Sequence, residues 1–410
     1  MKILWLSHFA PYPPKGGASQ RSYNMLKQLS KYADVSLLSL APYSKIASFF
    51  NNYEAGIEEI EHELGKYCDE IRLIPHGRHK RQTAKTLNAL KSLVRNDSYD
   101  VVCLESKELE KSLTKALAEN NYDAIHLDTI GLWPYVANLD IPLILNHHNI
   151  ESQMLQRRAS KTSWPLSQYI RSQESKLQKL EIQAGAKARI NVTCSRDDGQ
   201  RLSEIGIDNV AEIPNGVDLS YFSRRQNYQA TESGIDLIFA GGLEWYPNRD
   251  AMIFFAKKVW PQLKAKPQAA TMTVVGRGSI PLLNDIAATD SSFKVAGFVP
   301  DVRTYLEQAS IYVCPIRDGG GTKLKVLDAL GMGIPLIAHP IACEGINVRN
   351  GEHVIFAETP KQFCDAILSL SAAPELKMKL SANGRQLIEE QYCYNKIGEK
   401  MAKVYQLICS

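Results

Sequence analysis

A glycine turn, two lysines and one acid stand in close order in the segment RDGGGTKLKVLDALGMGIPLIA, residues 317–338. Three glycines let the backbone approach a ligand, and free N–H groups at the start of a following helix attract anions. Lys323 and Lys325 add positive charge, and Thr322 suits the position that caps the helix. Asp328 follows about one and a half turns into that helix, where a carboxylate can accept hydrogen bonds from ribose hydroxyls. The pattern predicts a phosphate cradle; a plain glycine turn with a surface Lys325–Asp328 pair is the alternative.

Similar turns recur directly after predicted strands in both halves of the chain. They contain Gly16 and Gly17 in PPKGG, Gly241 and Gly242 in FAGG, and Gly276, Arg277 and Gly278 in VVGRG. The run VAGFVPD ends another strand with Phe298 and Val299, whose backbone could read the edge of a base. Any one turn could be structural, but their recurrence at strand ends indicates ligand binding.

The run ILNHH ends a first-half strand with His147 and His148. A histidine in such a place is most often a polar residue satisfied by its neighbours. Its position after a strand makes contact with a sugar hydroxyl or a leaving oxygen the alternative.

The elements that position these residues are short apolar runs alternating with amphipathic helices. Strands are predicted at KILWLSH, DVSLLSL, YDVVCLE, YDAIHL and IPLILNHH, then at IDLIFAGG, TMTVVGRG, FKVAGF, SIYVCPI, IPLIAH and HVIFAE. Strands that are apolar on both faces and separated by helices predict α/β domains with parallel sheets covered on both sides. Such sheets bind ligands beyond the carboxyl ends of their strands.

Two doubly wound, Rossmann-like domains facing a central cleft are therefore expected. Their predicted bounds are an N-terminal domain at 1–213, a polar linker at 214–235, a C-terminal domain at 236–385, and a long or broken helix at 386–410 that returns to the first domain.

The composition limits the partners and the cellular location that the protein can have. The 410 residues carry a net charge of +4, too mild to indicate a nucleic-acid partner. The eight scattered cysteines form no CxxC pair and fit reduced thiols of a cytosolic protein. The N-terminus lacks the pattern of a signal peptide, and no apolar run approaches the roughly 20 residues of a membrane span. A cytoplasmic location is expected.

Over nearly its whole length the chain resembles glycosyltransferase family 4, retaining enzymes of the GT-B fold. The resemblance rests on PPKGG, LILNHHNIES, VTCSRDD, IPNGVD, FAGGLEWYPNRDA, VVGRG, VAGFVPD, GGGTKLKVLDALGMGIPLIA, EGI and YNKIGEKMAKVYQLI, in this order and spacing. It implies transfer of a sugar from a nucleotide-sugar donor, most readily a UDP- or GDP-sugar, to a glycan or lipid-linked acceptor in bacterial envelope synthesis.

The resemblance also implies roles for individual residues. Asp328 matches the second acid of the family's E-x7-E motif, which binds the donor ribose, whereas the first acid falls at Gly320. Asp318, the nearest carboxylate, is a candidate for contact with the donor sugar, and His148 matches a sugar-contacting histidine. The remaining donor-binding candidates are Gly16, Gly17, Gly242, Arg249, Arg277, Phe298, Val299, Gly320, Gly321, Thr322, Lys323 and Leu324.

An Arg and a Lys that usually neutralise the diphosphate are missing: Gly242 replaces the Arg, and Pro247 stands near the Lys position. The resemblance leaves Lys323 or Arg249 to supply this charge, with Lys323 also counted as catalytic. No Asp-x-Asp pair is present, so we expect no bound metal and no cofactor. A nucleotide-sugar epimerase of the same fold and a non-catalytic nucleotide-binding homologue remain alternatives, and the missing charges favour the latter.

Two basic stretches in the first half contain apolar residues: 76–95, and QRRASKTSWPLSQYIRSQ, which includes Trp164. Basic amphipathic segments can bind anionic lipid. An anionic membrane surface on the inner face of the cytoplasmic membrane is therefore a further expected partner, with solvated helical faces as the alternative.

Overall fold

The computed structural model describes residues 1–77, 82–223, 234–319 and 321–409. The chain divides into two compact units, Met1–Pro214 with Ile397–Ser410, and Asn215–Lys396. The predicted glycine at position 320 and part of the basic stretch 76–95 lie outside the described residues. Within the described ranges, no helix combines the length and apolarity needed to cross a membrane.

The first unit is built on a seven-stranded parallel sheet. Its strand order is β3-β2-β1-β4-β5-β6-β7. The first strand is buried on both faces because helices cover both sides of the sheet. The strands are β1 Lys2–Ser7, β2 Asp34–Pro42, β3 Glu70–His76, β4 Ala124–Leu127, β5 Leu143–His147, β6 Ile190–Thr193 and β7 Val210–Glu212. The helices are α1 Gly17–Leu29, α2 Tyr43–Ile46, α3 Tyr53–Leu64, α4 Gln82–Val94, α5 Tyr99–Cys103, α6 Lys107–Glu119, α7 Trp133–Val136, α8 Glu151–Ser160, α9 Leu166–Lys187 and α10 Arg196–Glu204.

The second unit is a six-stranded parallel sheet in the order β10-β9-β8-β11-β12-β13. A continuous apolar core fills the space between this sheet and its helices. The strands are β8 Ile235–Ala240, β9 Ala270–Val275, β10 Phe293–Gly297, β11 Ile311–Cys314, β12 Leu336–Ala338 and β13 Ile355–Phe356. The helices are α11 Tyr246–Phe254, α12 Trp260–Lys264, α13 Pro281–Thr289, α14 Arg303–Leu306, α15 Leu324–Gly331, α16 Pro360–Ser371 and α17 Pro374–Leu387.

Both sheets therefore have the doubly wound α/β architecture that the sequence predicts, and all six strands predicted in the second half are present. One prediction in the first half is wrong: YDVVCLE forms helix α5, not a strand. The Ser98 side chain accepts a hydrogen bond from the Val101 N–H at 3.4 Å and caps this single turn. Its two valines are buried against the core as helical residues.

The C-terminal segment is a broken helix, one of the two forms predicted. A π-helical turn at Ile388–Tyr392 follows α17, Cys393 is extended, and α18 Tyr394–Cys409 begins after it. The Tyr405 hydroxyl lies 2.5 Å from His126 Nδ1 of β4, which ties α18 into the first unit. Residues just after position 214 belong instead to the second unit, since the Val217 N–H donates to the Tyr392 carbonyl at 2.8 Å.

Candidate functional site

The strand orders locate the functional loops in each unit. A crevice forms where the strand order of a doubly wound sheet reverses, beyond the carboxyl ends of the two central strands. In the second unit these strands are β8 and β11, and in the first unit they are β1 and β4. The glycine turns and polar clusters of the sequence follow these strands or their neighbours.

Close glycine packing holds the loops of the second unit together. A Cβ on Gly276 would lie 2.1 Å from the Gly241 carbonyl oxygen, so only glycine permits this contact between the loops after β9 and β8. The Leu243 N–H donates to the Arg277 carbonyl at 2.6 Å, and the Gly276 N–H donates to the Gly297 carbonyl at 2.8 Å. Loops after three adjacent strands therefore form one backbone surface.

The loop after β11 joins the same surface. A Cβ on Gly319 would lie 3.0 Å from Cγ of Pro247 and 3.6 Å from the Trp245 ring. Lys323 is buried, and its ammonium donates to the carbonyls of Gly319 at 3.0 Å and Gly321 at 2.7 Å. The side chain of Lys323 thus shapes the loop from inside.

Helix α15 begins at Leu324, so the prediction that Thr322 caps the helix is wrong. Lys323 holds the capping position, and its own side chain accepts no hydrogen bond from the first turn. A lysine there cannot accept from the helix N–H groups, because an ammonium only donates. The start of α15 therefore keeps its positive partial charge, which suits an anion.

Lys325, which the sequence analysis named as added positive charge, makes a contact that the sequence did not predict. Its ammonium donates to Asn248 Oδ1 at 2.9 Å and lies 5.1 Å from the centre of the Trp245 ring. The Asn248 side chain also donates to the Gly242 carbonyl at 2.7 Å. A Cβ on Gly241 would lie 2.8 Å from Cε of Lys325. The lysine from α15 thus reaches the loop after β8, where the Arg and Lys of the family pattern are missing.

Burial lowers the pKa of Lys325, while the nearby Cys314 and Asp328 act in the opposite direction. The surface Lys325–Asp328 pair offered as an alternative is not the arrangement observed, since Lys325 turns toward Asn248. Asp328 is partly buried on α15, and its charge also contributes to raising the pKa of Tyr312 above its ordinary value, after the larger effect of burial. The carboxylate therefore lies on the same side of the helix as the β11 core and Lys325.

The other predicted donor-site residues form the edge of this surface. Phe298 is about half exposed, with the Arg277 guanidinium 4.9 Å from the centre of its ring. Val299 is partly buried beside it. Arg249 is exposed on the first turn of α11, and the carboxylate of Asp318 accepts from the Gly319 N–H at 2.8 Å.

Arg317, the first residue of the glycine motif, has a role that only the structure shows. Its guanidinium donates to Asp250 at 2.8 Å and lies 4.1 Å from the centre of the Phe254 ring. These contacts join the loop after β11 to α11, so Arg317 supports the loop from outside.

In the first unit, Gly16 and Gly17 are exposed at the start of α1, where Gly16 has a φ of 130° that favours glycine. His147 is a satisfied core residue, since its Nε2 lies 3.0 Å from Asn191 Oδ1. His148, by contrast, is partly exposed, and its Nε2 lies 3.2 Å from Asp128 Oδ1. The two adjacent histidines therefore have different environments.

Asp128 is fully buried at the end of β4 and is the centre of the polar cluster in this unit. The hydroxyls of Ser7 and Ser22 donate to its carboxylate at 3.0 and 2.9 Å, and the Asn146 amide donates at 3.2 Å. Burial alone would raise its pKa, but His148 and the other neighbours hold the pKa of Asp128 well below its usual range. An ionised Asp128 favours a proton on His148 Nε2, which leaves Nδ1 as the acceptor.

Comparison with known proteins identifies both halves of the chain. A family model described as Glycosyltransferase Family 4 matches residues 103–221, and a model described as Glycosyl transferases group 1 matches residues 234–373. An uncharacterised 44.6 kDa protein of the cps region of Klebsiella pneumoniae is 21% identical over 175 residues. That match covers 41% of this chain and spans less than half, 45%, of the relative.

Solved structures share the whole fold. Sucrose-phosphate synthase from Thermosynechococcus elongatus superposes with a TM-score of 0.71 at 14% identity, covering 100% of this chain and 99% of that one. Anabaena HepE in complex with UDP and glucose superposes with a TM-score of 0.68 at 13% identity, covering 99% and 100%. TarM gives a TM-score of 0.69 at 13% identity, covering 100% and 99%. By its two family models and its fold, the chain belongs to the GT-B glycosyltransferases of the family 4 type.

Proposed function

We propose that this glycosyltransferase moves a sugar from a nucleotide-sugar donor, with retention of configuration, to a glycan or lipid-linked acceptor in bacterial envelope polysaccharide synthesis. The observation that carries the proposal is Lys325, which brings a cation to the glycine loops of the second unit beside the start of α15. A partly buried ammonium at the positive end of a helix favours an anionic ligand. The HepE structures in complex with UDP and with UDP-glucose support a nucleotide-sugar donor, with uracil as the first base to test.

The residues then have distinct roles in the reaction. The bond between the anomeric carbon and the diphosphate oxygen breaks, and the diphosphate takes the electron pair. Lys325 and the amides of the loop after β11 stabilise this charge; each good donor to such a charge contributes about 3–4 kcal/mol. Asp328 accepts from the ribose hydroxyls. The acceptor oxygen bonds to the same face of the anomeric carbon, and its proton passes to the departing diphosphate oxygen.

Neither of the two cations that the resemblance offered for the diphosphate, Lys323 and Arg249, is placed as well as Lys325. The Lys323 ammonium donates to the loop carbonyls, and Arg249 lies exposed on α11. We therefore assign the diphosphate to Lys325 and keep Lys323 as the residue that holds the loop in shape. His148 keeps its role as a contact to the transferred sugar, with Asp128 setting which ring nitrogen accepts.

Exposed apolar residues support an anionic membrane as partner of the first unit. Leu87, Leu90 and Leu93 of α4 are each more than half exposed. The opposite side of α4 is the packed one, since the Ser92 hydroxyl lies 3.0 Å from the Tyr169 hydroxyl of α9. Trp164 is 77% exposed between α8 and α9. An apolar helix face turned to solvent near basic residues is typical of a surface that lies on lipid.

Nucleotide binding is the first test. UDP, GDP, ADP and dTDP are titrated against the purified chain by calorimetry, each with EDTA and with Mg²⁺. We expect one nucleotide to bind equally well in both conditions and to lose affinity in Asp328→Ala. Binding without turnover on any donor and acceptor would favour a non-catalytic homologue. Conversion of the sugar nucleotide without an acceptor would instead favour an epimerase, and an inverted anomeric centre in the product would exclude retention.

The membrane proposal is tested by sedimentation with anionic and neutral vesicles at low salt. We expect binding to anionic vesicles alone, lost when Leu87, Leu90 and Leu93 are all replaced by Ser. Equal sedimentation of this variant would show that α4 does not contact the lipid.

A further inference from the structure

The start of α8 lies next to a buried carboxyl group that none of the roles above uses. Glu181 of α9 is fully buried, and it accepts from the Ser152 N–H at 3.1 Å and from the Ser152 hydroxyl. Ile150, the residue before α8, has no side-chain oxygen to offer to the free N–H groups of the first turn. Glu181 therefore supplies, from the neighbouring helix, the cap that the sequence of α8 lacks.

The carboxyl group of Glu181 is stabilised by α8 and not by a cation. Among the described residues, no basic side chain lies within ion-pair distance of it. Burial raises the pKa of Glu181, and the hydrogen bonds from Ser152 act in the opposite direction. A buried carboxylate is costly unless its oxygens are hydrogen-bonded, and the start of a helix adds a positive partial charge. Glu181 and the first turn of α8 thus depend on each other.

The first turn of α8 is also one end of the segment that carries His148. Residues 148–150 connect β5 with α8. At the β5 end, His147 is fixed by its contact with Asn191, and its carbonyl accepts from the Cys194 thiol with Sγ 3.3 Å from the oxygen. At the α8 end, Glu181 holds the helix. Two fixed points a few residues apart therefore restrict the backbone of His148.

We propose that Glu181 is a positioning residue for the transfer reaction: by fixing the start of α8, it holds His148 against Asp128 in the orientation that contacts the transferred sugar. The sugar contact rests on the proposed function, whereas the orientation of the ring belongs to the protein without ligand. A shift of about 0.5 Å would take the distance from His148 Nε2 to Asp128 Oδ1, now 3.2 Å, beyond hydrogen-bond range. Small movements of α8 should therefore release the ring.

A second carboxyl group makes the start of α8 sensitive to pH. Glu151 is the first residue of α8, and the Thr129 hydroxyl donates to it at 3.5 Å. Burial raises the pKa of Glu151 to about 8, and the charges of Asp100 on α5 and Glu181 on α9 act in the same direction. The charge of Glu174, also on α9, contributes in turn to the raised pKa of Glu181. Glu151 is thus mostly protonated at pH 7 and gains a charge beside other carboxyl groups as pH rises to 9.

The test observes the imidazole of His148 by NMR of the full chain labelled with 15N-histidine, assigned by comparison with His148→Gln. In wild type we expect one N–H nitrogen and one acceptor nitrogen, the tautomer that Asp128 favours. Glu181→Met keeps the length of the side chain and removes its oxygens, so the two nitrogen signals should move toward each other as tautomers exchange. Glu181→Gln keeps one acceptor oxygen for the Ser152 N–H and should preserve the wild-type signals.

Glu174→Gln is the matched control, since Glu174 is a partly buried carboxyl group on the same helix. It should preserve the His148 signals. The signals of His126 should stay unchanged in every variant, which separates a displacement of His148 from a general loosening of the unit. Wild-type His148 signals in a folded Glu181→Met protein, or equal changes at His126 and His148, would overturn the proposal.

The pH dependence decides if Glu181→Met does not fold. The His148 signals of wild type should change between pH 7 and pH 9 as Glu151 ionises. In Glu151→Gln they should stay constant, because glutamine remains neutral at the start of α8. A change of equal size in Glu151→Gln would belong to another group, and constant signals in wild type would show that the start of α8 does not govern the ring; either result contradicts the proposal.

UDP affinity, measured by calorimetry on the same variants, separates this proposal from the proposed function. It should be unchanged in Glu181→Met, because Glu181 belongs to the first unit and the donor loops belong to the second. The kcat of transfer should fall about tenfold or more, since a misplacement of about 1 Å can cost on the order of 100-fold in rate. A wild-type protein that binds no UDP would contradict the proposed function, whereas the His148 signals would still decide the role of Glu181.

Discussion

Replacement of Lys325 by Met tests whether this lysine holds the donor diphosphate. Met preserves most of the side-chain volume against the Trp245 and Phe239 rings and removes only the ammonium. A hydrogen bond to a charged group contributes about 1.5–3 kcal/mol, so Lys325→Met should weaken UDP binding by roughly 10- to 150-fold.

The unliganded protein should change little, because opposing effects offset one another. The ammonium lies at the positive end of α15, which costs about 0.3–1 kcal/mol, and burial, which lowers the pKa of Lys325, adds a further cost. Its bond to Asn248, a hydrogen bond to a charged group, contributes about 1.5–3 kcal/mol. Since these terms nearly cancel, the free energy of unfolding of Lys325→Met should stay within about 1 kcal/mol of wild type.

The assay is calorimetric titration with UDP, together with thermal unfolding without ligand. Lys294→Met, an exposed lysine on β10 of the same unit, is the matched control and should bind UDP as wild type does. A Lys325→Met protein that folds normally and binds UDP with unchanged affinity would refute the assignment of the diphosphate to Lys325.

The titration of Lys325 should affect the stability of the protein and its affinity for UDP in opposite directions. Burial lowers the pKa of Lys325 in the folded protein, so the unfolded chain binds more protons between that pKa and the ordinary value of 10.5. Over this window the stability contribution of Lys325 increases as pH rises. UDP affinity should fall over the same window because the ammonium is lost, and Lys325→Met should abolish both trends.

Three further substitutions test the surrounding geometry. Gly276→Ala should unfold the unit or abolish UDP binding, because its Cβ would lie 2.1 Å from the Gly241 carbonyl oxygen. In Gly297→Ala the new Cβ has no atom within 4 Å, so the variant should lose only the roughly 1–2 kcal/mol of left-handed backbone strain. Thermal unfolding distinguishes the two variants. Asp328→Ala should weaken UDP binding by about 1.5–3 kcal/mol and erase the preference for UDP over 2′-deoxy-UDP, and a preference retained by the variant would move the ribose elsewhere. Asp128→Asn should leave UDP affinity intact but lower the rate of transfer, since His148 loses the carboxylate that orients it; an unchanged rate in a folded variant would make Asp128 purely structural.

Much of the fold was predictable because a buried strand appears in the sequence as a short, continuous apolar run. The second sheet follows from apolar runs that are buried on both faces, as at β11 and β12. The exceptions have local causes. EIRLIPH forms β3 although it was not predicted as a strand, because as an edge strand it is mostly half-buried and mixes charged with apolar residues. The valines of YDVVCLE suggested a strand, but a serine cap and burial favour a helical turn.

The candidate site was predictable only as far as backbone turns define it. Glycine turns after strands are visible in sequence, and the structure brings those after β8, β9 and β10 together. The direction of a long side chain is not visible. Lys323 and Lys325 are two residues apart, yet one bonds to its own loop and the other to Asn248, 77 residues away. Only the tertiary contact of Lys325 with Asn248 of α11 separates these two outcomes.

Moving the cation from a loop to a helix changes how binding energy is distributed. A flexible lysine loses about 1.5–2 kcal/mol of side-chain entropy when it is ordered by a ligand. Lys325 is already held by Asn248 and the Trp245 ring, so most of that entropy is lost on folding and not on binding. The empty site instead carries the cost of a partly buried charge, which an incoming diphosphate relieves. The absence of the family's Arg and Lys after β8 therefore does not argue for a degenerate site, because the chain places a preorganised cation against the same loop from the other side.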